Sequence, residues 1–267
     1  MRIAANDRGF LYGDGLFETI RIHAQRPFLW EWHMIRFIDG AGSLQIPLPQ
    51  SKESLLVNVQ ELAKLNSDPE SVMRISLTRG AGERGYSVTG DEKPTLLITQ
   101  HPLPTPPNKP LSLVGTRARI AVGDPLSKVK SANKLISVLA KCEAAEQGAD
   151  DGLILNSDGN VTETSSANLF CIKNNTLFTP PVSDGVLPGV SRRLVIDLAS
   201  ALGQTVREES VALDFLQLAE AVFVTSTTMG IIVVGQVDGV AVASHPLVAQ
   251  LQDAYVAELA RHAANRS

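Results

Sequence analysis

Two ionisable residues in the second half of the chain could carry chemistry together. Lys130 comes just before a segment with helical spacing, and Glu163 lies further along, inside a strand-like segment over 161–170. A lysine amine can form a Schiff base with an aldehyde, and a glutamate can keep a pyridine nitrogen protonated, so that the ring accepts electrons. The two residue types therefore predict a pyridoxal-phosphate site.

Each of these residues also has an ordinary structural explanation. Lys130 precedes Ser131, a good helix N-cap, and could be a surface loop lysine. On physical grounds alone Lys128 is not excluded as the reactive lysine. Glu163 shares strand alternation with Val161, so we expect the two side chains on the same face. On a core face the carboxylate would be buried and would need a cationic partner, whereas on an edge strand it would lie in water.

Several weaker signals could together hold a phosphate group. Val190 and Ser191 follow a glycine and come just before a predicted helix, so their backbone N–H groups could point at an anion. Ser226 and Thr227 end a predicted strand with hydroxyl groups, and Arg36 on a helical segment could pair with the phosphate. Each also fits an N-cap, a turn or a solvated arginine. The chain has neither a P-loop nor a dinucleotide glycine fingerprint.

A glycine-rich loop over 79–87 supplies two arginines. Arg79 continues the alternation of the strand before it, and Arg84 lies in the sequence Glu-Arg-Gly-Tyr-Ser over 83–87. Two arginines beside flexible glycines could clamp a substrate carboxylate, and the plainer interpretation is a hairpin loop with exposed charges. None of the five histidines forms a serine–histidine–acid or metal-ligand pattern.

The composition argues against several kinds of partner. Lys plus Arg number 24 against 28 for Asp plus Glu, a net charge of −4, which gives no electrostatic case for nucleic acid or an anionic membrane. Residues 1–7 lack the apolar core of a signal peptide, and the apolar runs are only as long as strands, so we expect a cytoplasmic protein. The two cysteines, Cys142 in a helix and Cys171 in a strand, are expected as buried free thiols.

Alternating helix and strand signals predict an α/β (α+β) fold in two domains. In the first half, strands are expected over 16–22, 72–79 and 94–100, and helices over 30–44 and 51–65. Five prolines over 101–110 favour a linker. The predicted parts are a smaller domain over 1–104, a linker over 105–110 and a larger cofactor-binding domain over 111–267.

The larger domain is expected to combine a strand, two helices and a meander of short strands. A strand over 111–121 comes before the lysine loop, and a meander is predicted between 152 and 179. A helix over 132–148 would carry Leu135, Leu139 and Cys142 on one apolar stripe, with Lys134 and Lys141 as solvated residues beside it. A further helix is predicted over 192–202, and a strand over 221–228.

Taken in order, these motifs resemble the class IV aminotransferase family, the fold-type IV pyridoxal-phosphate enzymes. The resemblance covers essentially the whole chain and includes segments 6–19, 33–36, 79–87, 129–131, 161–170, 189–191 and 226–228. It favours Lys130 over Lys128 as the cofactor lysine. It implies a fold like that of D-amino-acid aminotransferase, with the cofactor in a cleft between two domains. It also implies a homodimer whose active site takes residues from both subunits.

The family contains branched-chain aminotransferases, D-amino-acid aminotransferases and 4-amino-4-deoxychorismate lyases. The loop over 79–87 most resembles the lyases, which implies release of pyruvate from a small-molecule amine substrate to give 4-aminobenzoate for folate synthesis. Arg84 would then bind a substrate carboxylate. The alternative within the family is a D-amino-acid or branched-chain aminotransferase. A third interpretation, a non-catalytic protein that binds or carries the cofactor, is opposed by the intact lysine and glutamate.

Overall fold

The computed structural model describes residues 2–66 and 68–264, which form two compact units. The first contains the residues up to 103 together with Val129–Asn133, and the second contains Pro104–Lys128 and the residues from 134 onward. The proline-rich segment begins at this division. The boundaries expected from the sequence differ in one respect, because they place the lysine segment in the C-terminal domain. In the structure this segment pairs with a strand of the first unit.

The first unit is a four-stranded antiparallel sheet with helices. Its sheet has the order β2-β1-β3-β4, and β4, which ends at a proline, lies at an edge, where a missing N–H group disrupts no ladder. The helices and strands predicted here are confirmed to within a few residues. Their bounds are α1 Arg8–Tyr12, β1 Gly15–His23, β2 Arg26–Pro27, α2 Trp30–Ser43, α3 Lys52–Leu65, β3 Glu70–Thr78 and β4 Thr95–Pro102.

Alternation along β1 and β3 gives this sheet an apolar face and a polar face. Pairing in register places Phe17 opposite Ser76 and Thr19 opposite Arg74 on the polar face. Glu18 breaks the pattern, since it is a carboxylate between two core residues of β1 and is fully buried. The apolar face packs with the helices α2 and α3 through Leu16, Ile20, Ile22, Met34, Phe37, Leu55, Val59, Met73, Ile75 and Leu77.

The second unit is built around a larger sheet. Strand order is β10-β9-β8-β11-β12-β5-β6-β7, and β7 also pairs with β8, so the strands from β8 round to β7 close into a ring. The bounds are β5 Leu111–Ile120, α4 Leu135–Glu146, β6 Asp151–Asn156, β7 Val161–Thr164, β8 Asn168–Lys173, β9 Thr176–Thr179, α5 Val190–Ala201, β10 Thr205–Glu208, α6 Leu213–Gln217, β11 Ala221–Ser226, β12 Gly230–Val237, β13 Val240–Ala241 and α7 Pro246–Ala264.

The helix after the lysine segment differs from its prediction in both extent and orientation. It begins at Leu135 instead of residue 132, and Lys134, not Ser131, occupies the N-cap position. The predicted stripe faces outward, because Leu135 is 69% exposed and Leu139 is 57% exposed. The buried face consists of small residues, Ala140 and Ala144, which let the helix pack closely against β6.

The two thiols have different environments. Both are free, but Cys142 is exposed on the outer face of α4, so the prediction that it is buried was wrong. Cys171 is buried in β8, as expected, and burial raises the pKa of its thiol to about 12. A raised pKa disfavours a reactive thiolate at Cys171.

Two kinds of feature are absent from the described residues, 2–66 and 68–264. No helix there is both long enough and apolar enough to cross a membrane. No group of three or more histidine, cysteine, aspartate or glutamate side chains in these ranges could hold a metal ion. The expected absence of nucleic-acid partners and the cytoplasmic location stay predictions.

Candidate active site

Lys130 is anchored beside the first strand of the first unit. Its carbonyl oxygen accepts a hydrogen bond from the Phe17 N–H at 2.9 Å, and the Ala132 N–H donates to the Gly15 carbonyl at 2.8 Å. Val129, one residue earlier, is buried in the core of this unit. The Lys130 ammonium lies 4.8 Å from the centroid of the Phe17 ring. The backbone of this lysine is therefore fixed, whereas Lys128 is exposed in the second unit.

A buried carboxylate of the same unit is held by two residues of α2. Arg36 donates from Nε and Nη2 to the two Glu18 oxygens, each at 2.8 Å, and His33 Nδ1 lies 2.7 Å from Glu18 Oε2. Burial alone would raise the pKa of Glu18. The charge of Arg36 and the hydrogen bonds from both partners outweigh burial and hold this pKa at about 2. Glu18 is therefore ionised, and it fixes the orientation of Arg36.

His33 is electrostatically linked to the lysine. Burial lowers the pKa of His33 below its usual value, and the charges of Arg36 and Lys130 lower it further. Glu18 raises this pKa but does not outweigh the other effects. A neutral imidazole would donate its Nδ1–H to Glu18. Sequence reasoning missed Glu18 and His33. The available signals were a carboxylate at a core position of a strand, and the three-residue spacing of His33 and Arg36, which places both on one helix face.

Glu163 faces the opposite side of its strand from Val161, so the expected shared face was wrong. Glu163 pairs with Ile154 and Val161 pairs with Leu155, which are consecutive residues of β6 and point to opposite faces. The extra residue is Thr162, a β-bulge whose hydroxyl donates to the Ile154 carbonyl at 2.8 Å. The bulge leaves Val161 in the core and Glu163 only partly buried.

The Glu163 carboxylate is oriented by neutral donors. Asn168 Nδ2 and the Leu187 N–H both lie 3.3 Å from Glu163 Oε2, and Asn168 Nδ2 also donates to the Leu187 carbonyl at 3.0 Å. Gly189 follows, and a Cβ atom there would lie 1.9 Å from Asn168 Oδ1, so only glycine fits. Sequence reasoning missed Asn168 and Leu187, although Asn168 lies within the segment singled out over 161–170.

The predicted phosphate contacts of the second unit lie next to Asn168. The helix α5 begins at Val190, with Ser191 in its first turn, and its N-cap is Gly189. On the other side, Asn168 pairs with Thr225, the residue before Ser226 at the end of β11. The Thr225 hydroxyl is buried and has no hydrogen-bond partner in the structure. The structure therefore brings together Glu163, the start of α5 and the end of β11. Thr227 lies in the turn after β11.

The two arginines of the glycine-rich loop have different positions. Arg79 is buried and donates to both oxygens of Asp14 and to the carbonyls of Leu44 and Gln45. Burial raises the pKa of Asp14, but the hydrogen bonds and charges of its two arginine partners, Arg79 and Arg8, lower it below the usual value overall. Arg79 is thus a structural residue. Arg84 is exposed.

These side chains fit the chemistry of pyridoxal phosphate. That group has an aldehyde, a basic ring nitrogen and an anionic phosphate. The first unit offers the Lys130 amine and the Arg36 guanidinium. The second offers the Glu163 carboxylate and, around the unpartnered Thr225 hydroxyl, the donors of Ser191 and Ser226. The assignment of these residues to the cofactor stays a prediction.

Comparison with known proteins identifies the family but not a single activity. A branched-chain-amino-acid aminotransferase of Methanocaldococcus jannaschii, so named provisionally, is 36% identical over 244 residues, which is 89% of this chain and 83% of that protein. An aminodeoxychorismate lyase of Bacillus subtilis is 32% identical over 85% of this chain and 78% of its own length. A D-alanine aminotransferase of Listeria innocua is 31% identical over 97% of this chain and 91% of its own length.

Solved structures of both aminotransferases and lyases also match this chain. The branched-chain aminotransferase of Escherichia coli superposes with a TM-score of 0.91 at 27% identity, covering 96% of this chain and 89% of that one. The 4-amino-4-deoxychorismate lyase of Pseudomonas aeruginosa superposes with a TM-score of 0.87 at 29% identity, covering 95% and 94%. The family model of amino-transferase class IV matches residues 15–237. The chain is therefore a pyridoxal-phosphate-dependent enzyme that belongs to the class IV aminotransferase family.

Proposed function

We propose that the chain is a 4-amino-4-deoxychorismate lyase, which releases pyruvate and leaves 4-aminobenzoate for folate synthesis. The reaction needs no second substrate, because the two products contain all the atoms of aminodeoxychorismate. The C–H bond beside the amine breaks, the ether C–O bond to the enolpyruvyl group breaks, and the proton ends on that group as pyruvate. The ring that remains becomes aromatic.

The observation that carries this proposal is Arg74, an arginine that lies close to the same aromatic ring as Lys130. Arg74 lies on the polar face of β3, with its guanidinium carbon 3.7 Å from the centroid of the Phe17 ring, the same ring that Lys130 approaches. Its Nε donates to the Ser76 hydroxyl at 3.1 Å, and burial lowers the pKa of Arg74 below its usual value. A half-buried guanidinium favours an anionic partner. Aminodeoxychorismate has two carboxylates, and in this proposal Arg74 binds one of them and Arg84 binds the other.

In this proposal Lys130 is the residue that moves the proton. When bound, the cofactor would supply an aldehyde for the substrate amine and a ring that accepts electrons. The Lys130 amine would take the proton from the carbon beside the substrate amine and return it to the departing enolpyruvyl group. The fixed backbone of Lys130 and the Phe17 ring beside its ammonium limit where this amine can reach.

The carboxylates of the two units have separate roles. Glu163 keeps the ring nitrogen protonated, and Asn168 and Leu187 hold its carboxylate in place for this. Glu18 holds Arg36, which we assign to the phosphate together with the Val190, Ser191, Ser226 and Thr227 segments.

Product analysis with two kinds of substrate tests the proposal. The purified enzyme should release 4-aminobenzoate and pyruvate in equal amounts from aminodeoxychorismate, without any added keto acid. After turnover, its absorbance spectrum should show no accumulated pyridoxamine form. A wild-type enzyme that releases no 4-aminobenzoate, but converts a D- or branched-chain amino acid to its keto acid, would show that the lyase proposal is wrong.

An aminotransferase is the second candidate, and the comparisons are the reason. The relative that is 36% identical is named as a branched-chain aminotransferase, and several relatives are named as D-alanine aminotransferases. Such an enzyme would use the same lysine and glutamate but would need a keto acid to complete its cycle. A substrate with a single carboxylate would leave either Arg74 or Arg84 without a role in binding.

A homodimer is part of the same proposal, and the outer face of α4 supports it. This face is apolar and exposed over residues 135–139, and an apolar patch of this kind commonly marks a protein–protein contact. An apolar helix face is suited to a two-fold contact with the same helix of a second copy. Its residues are Leu135, Ile136, Val138 and Leu139.

Placing a charge on this face should separate the subunits. We expect the wild-type protein to sediment as a dimer and Leu139→Glu to sediment largely as a monomer, because a carboxylate would be desolvated at the contact. Val256→Glu is the matched control, since Val256 is an exposed apolar residue of α7. Analytical ultracentrifugation measures all three proteins. A monomeric wild type, or a dimeric Leu139→Glu, would contradict the assignment of this face.

A further inference from the structure

The first short helix of the chain, α1, is hydrogen-bonded to the loop that carries Arg84. Arg8, in α1, is 3% exposed, although it is an arginine. It donates from Nη1 to the Gly85 carbonyl at 2.9 Å and from Nη2 to the Tyr86 carbonyl at 3.4 Å. Residues 83–87 of this loop are exposed. A buried cation thus holds the backbone of an exposed loop at the two residues that follow Arg84.

Tyr12, at the other end of α1, holds the same point of the loop. Its hydroxyl accepts a hydrogen bond from the Gly85 N–H at 2.9 Å, and its ring meets the Tyr86 ring at a centroid distance of 5.5 Å. The Arg8 guanidinium lies 5.1 Å from the centroid of the Tyr12 ring. Gly85 has a φ of 107°, a backbone conformation that residues other than glycine rarely adopt. The backbone N–H and the backbone carbonyl of Gly85 are therefore both fixed by α1.

A comparison with Arg79 shows what is particular about Arg8. Both arginines donate to Asp14 Oδ2, Arg8 at 2.9 Å and Arg79 at 2.8 Å. Arg79 also donates to Asp14 Oδ1, and its other two side-chain hydrogen bonds go to the backbone after α2, which belongs to the body of the first unit. The remaining hydrogen bonds of Arg8 go to the loop. Burying a charged group costs free energy unless its hydrogen bonds are satisfied, and for Arg8 it is the loop that satisfies them.

We propose that Arg8 and Tyr12 are positioning residues that set the direction of Arg84 toward the substrate carboxylate. The inference rests on the proposed role of Arg84. Arg8 and Tyr12 do not contact the substrate in this scheme. They act by fixing the backbone of Gly85 and Tyr86, the two residues that follow Arg84, so that less conformational entropy is lost when the Arg84 guanidinium meets the carboxylate.

A double-mutant cycle in steady-state kinetics tests this inference. In Arg8→Lys the ion pair with Asp14 can be kept, but one ammonium cannot also reach both loop carbonyls. We expect KM for aminodeoxychorismate to rise by about 10-fold to 100-fold with little change in kcat, as for the loss of a positioned carboxylate contact. Arg84→Lys should have a similar effect. The double variant Arg8→Lys with Arg84→Lys should be little worse than Arg84→Lys alone, because both changes remove the same contact.

Two further variants separate positioning from general damage. Tyr12→Phe loses only the hydroxyl that accepts from Gly85, and it should raise KM in the same way, by a smaller factor. Arg79→Lys should lower the melting temperature and leave KM unchanged. An unchanged KM in both Arg8→Lys and Tyr12→Phe, or fully additive effects of the Arg8 and Arg84 changes, would overturn the inference. So would an Arg84→Lys enzyme with wild-type KM.

The same cycle separates a failure of this inference from a failure of the lyase proposal. If the wild type releases no 4-aminobenzoate but transaminates an amino acid, the lyase proposal is wrong, and the cycle is measured with that amino acid, which also has a carboxylate. Non-additive increases of KM would then still support the role of Arg8 and Tyr12. Additive or absent effects would reject that role whichever substrate is used.

Discussion

Replacing Lys130 with alanine is expected to lower kcat by about 10³-fold or more, because in the proposed mechanism Lys130 both binds the cofactor and moves the proton. The fold should be retained. The segment Val129–Asn133 is fixed through its backbone and through the Val129 side chain, and neither depends on the lysine side chain. Rapid-mixing kinetics with aminodeoxychorismate measure the loss, and circular dichroism checks the fold.

Lys128→Ala is the matched control for this prediction. Lys128 lies two residues earlier and is exposed, so its loss should leave kcat within about 2-fold of wild type, as expected for a surface substitution. The opposite result, a functional Lys130→Ala and an inactive Lys128→Ala, would assign the chemistry to the other lysine.

Glu163→Gln is expected to lower kcat by about 10²-fold to 10³-fold, the range seen when one electrostatic contact to the developing charge is removed. Glutamine has the same shape and keeps a carbonyl oxygen that can accept from Asn168 and Leu187. It lacks the negative charge that, in the proposed mechanism, keeps the ring nitrogen protonated, so the ring should withdraw electrons less strongly. Cofactor affinity should change much less than kcat.

The test of Glu163 combines kinetics with a titration of the cofactor. Glu61→Gln serves as the control, because Glu61 is an exposed residue of α3. A Glu163→Gln enzyme with near-normal turnover would show that another group maintains the protonated ring. An enzyme that loses the cofactor altogether would instead indicate that Glu163 is needed mainly for binding.

Local sequence patterns were enough to predict most elements of the fold. Apolar spacing predicted α2 and α3, and the predicted start of α3 at residue 51 coincides with its N-cap, where the Ser51 hydroxyl accepts from the Ser54 N–H. Strict alternation predicted β3, and turn residues predicted the meander from β6 to β9. These features depend on residues close together in sequence, which is why a single sequence reveals them.

The rest depends on contacts between distant residues. The bulge at Thr162 reverses the face of Glu163, and no local signal marks it, because the bulge is defined by pairing with β6. The outward stripe of α4 is apolar, as a core stripe would be, and only the close packing of Ala140 and Ala144 shows which face is buried. The ion pair between Glu18 and Arg36 joins residues of β1 and α2.

Only some residues of the candidate site could be named from the sequence, and their arrangement could not. Lys130 and Glu163 could be selected from residue types and motif order. The attachment of Lys130 to β1 joins residues that are far apart in sequence. The pairing of Asn168 with Thr225, which brings Glu163 near the end of β11, is equally non-local. The contacts of Arg8 and Tyr12 with the loop also join residues that are far apart in sequence.

Borohydride reduction of the purified holoenzyme, followed by peptide mapping, tests the central assignment most directly. The protein should be yellow, and reduction should abolish the visible absorbance and fix the cofactor to one lysine. We predict that the labelled peptide carries the modification on Lys130. A label on Lys128 or Lys134 would contradict the assignment and the mechanism built on it.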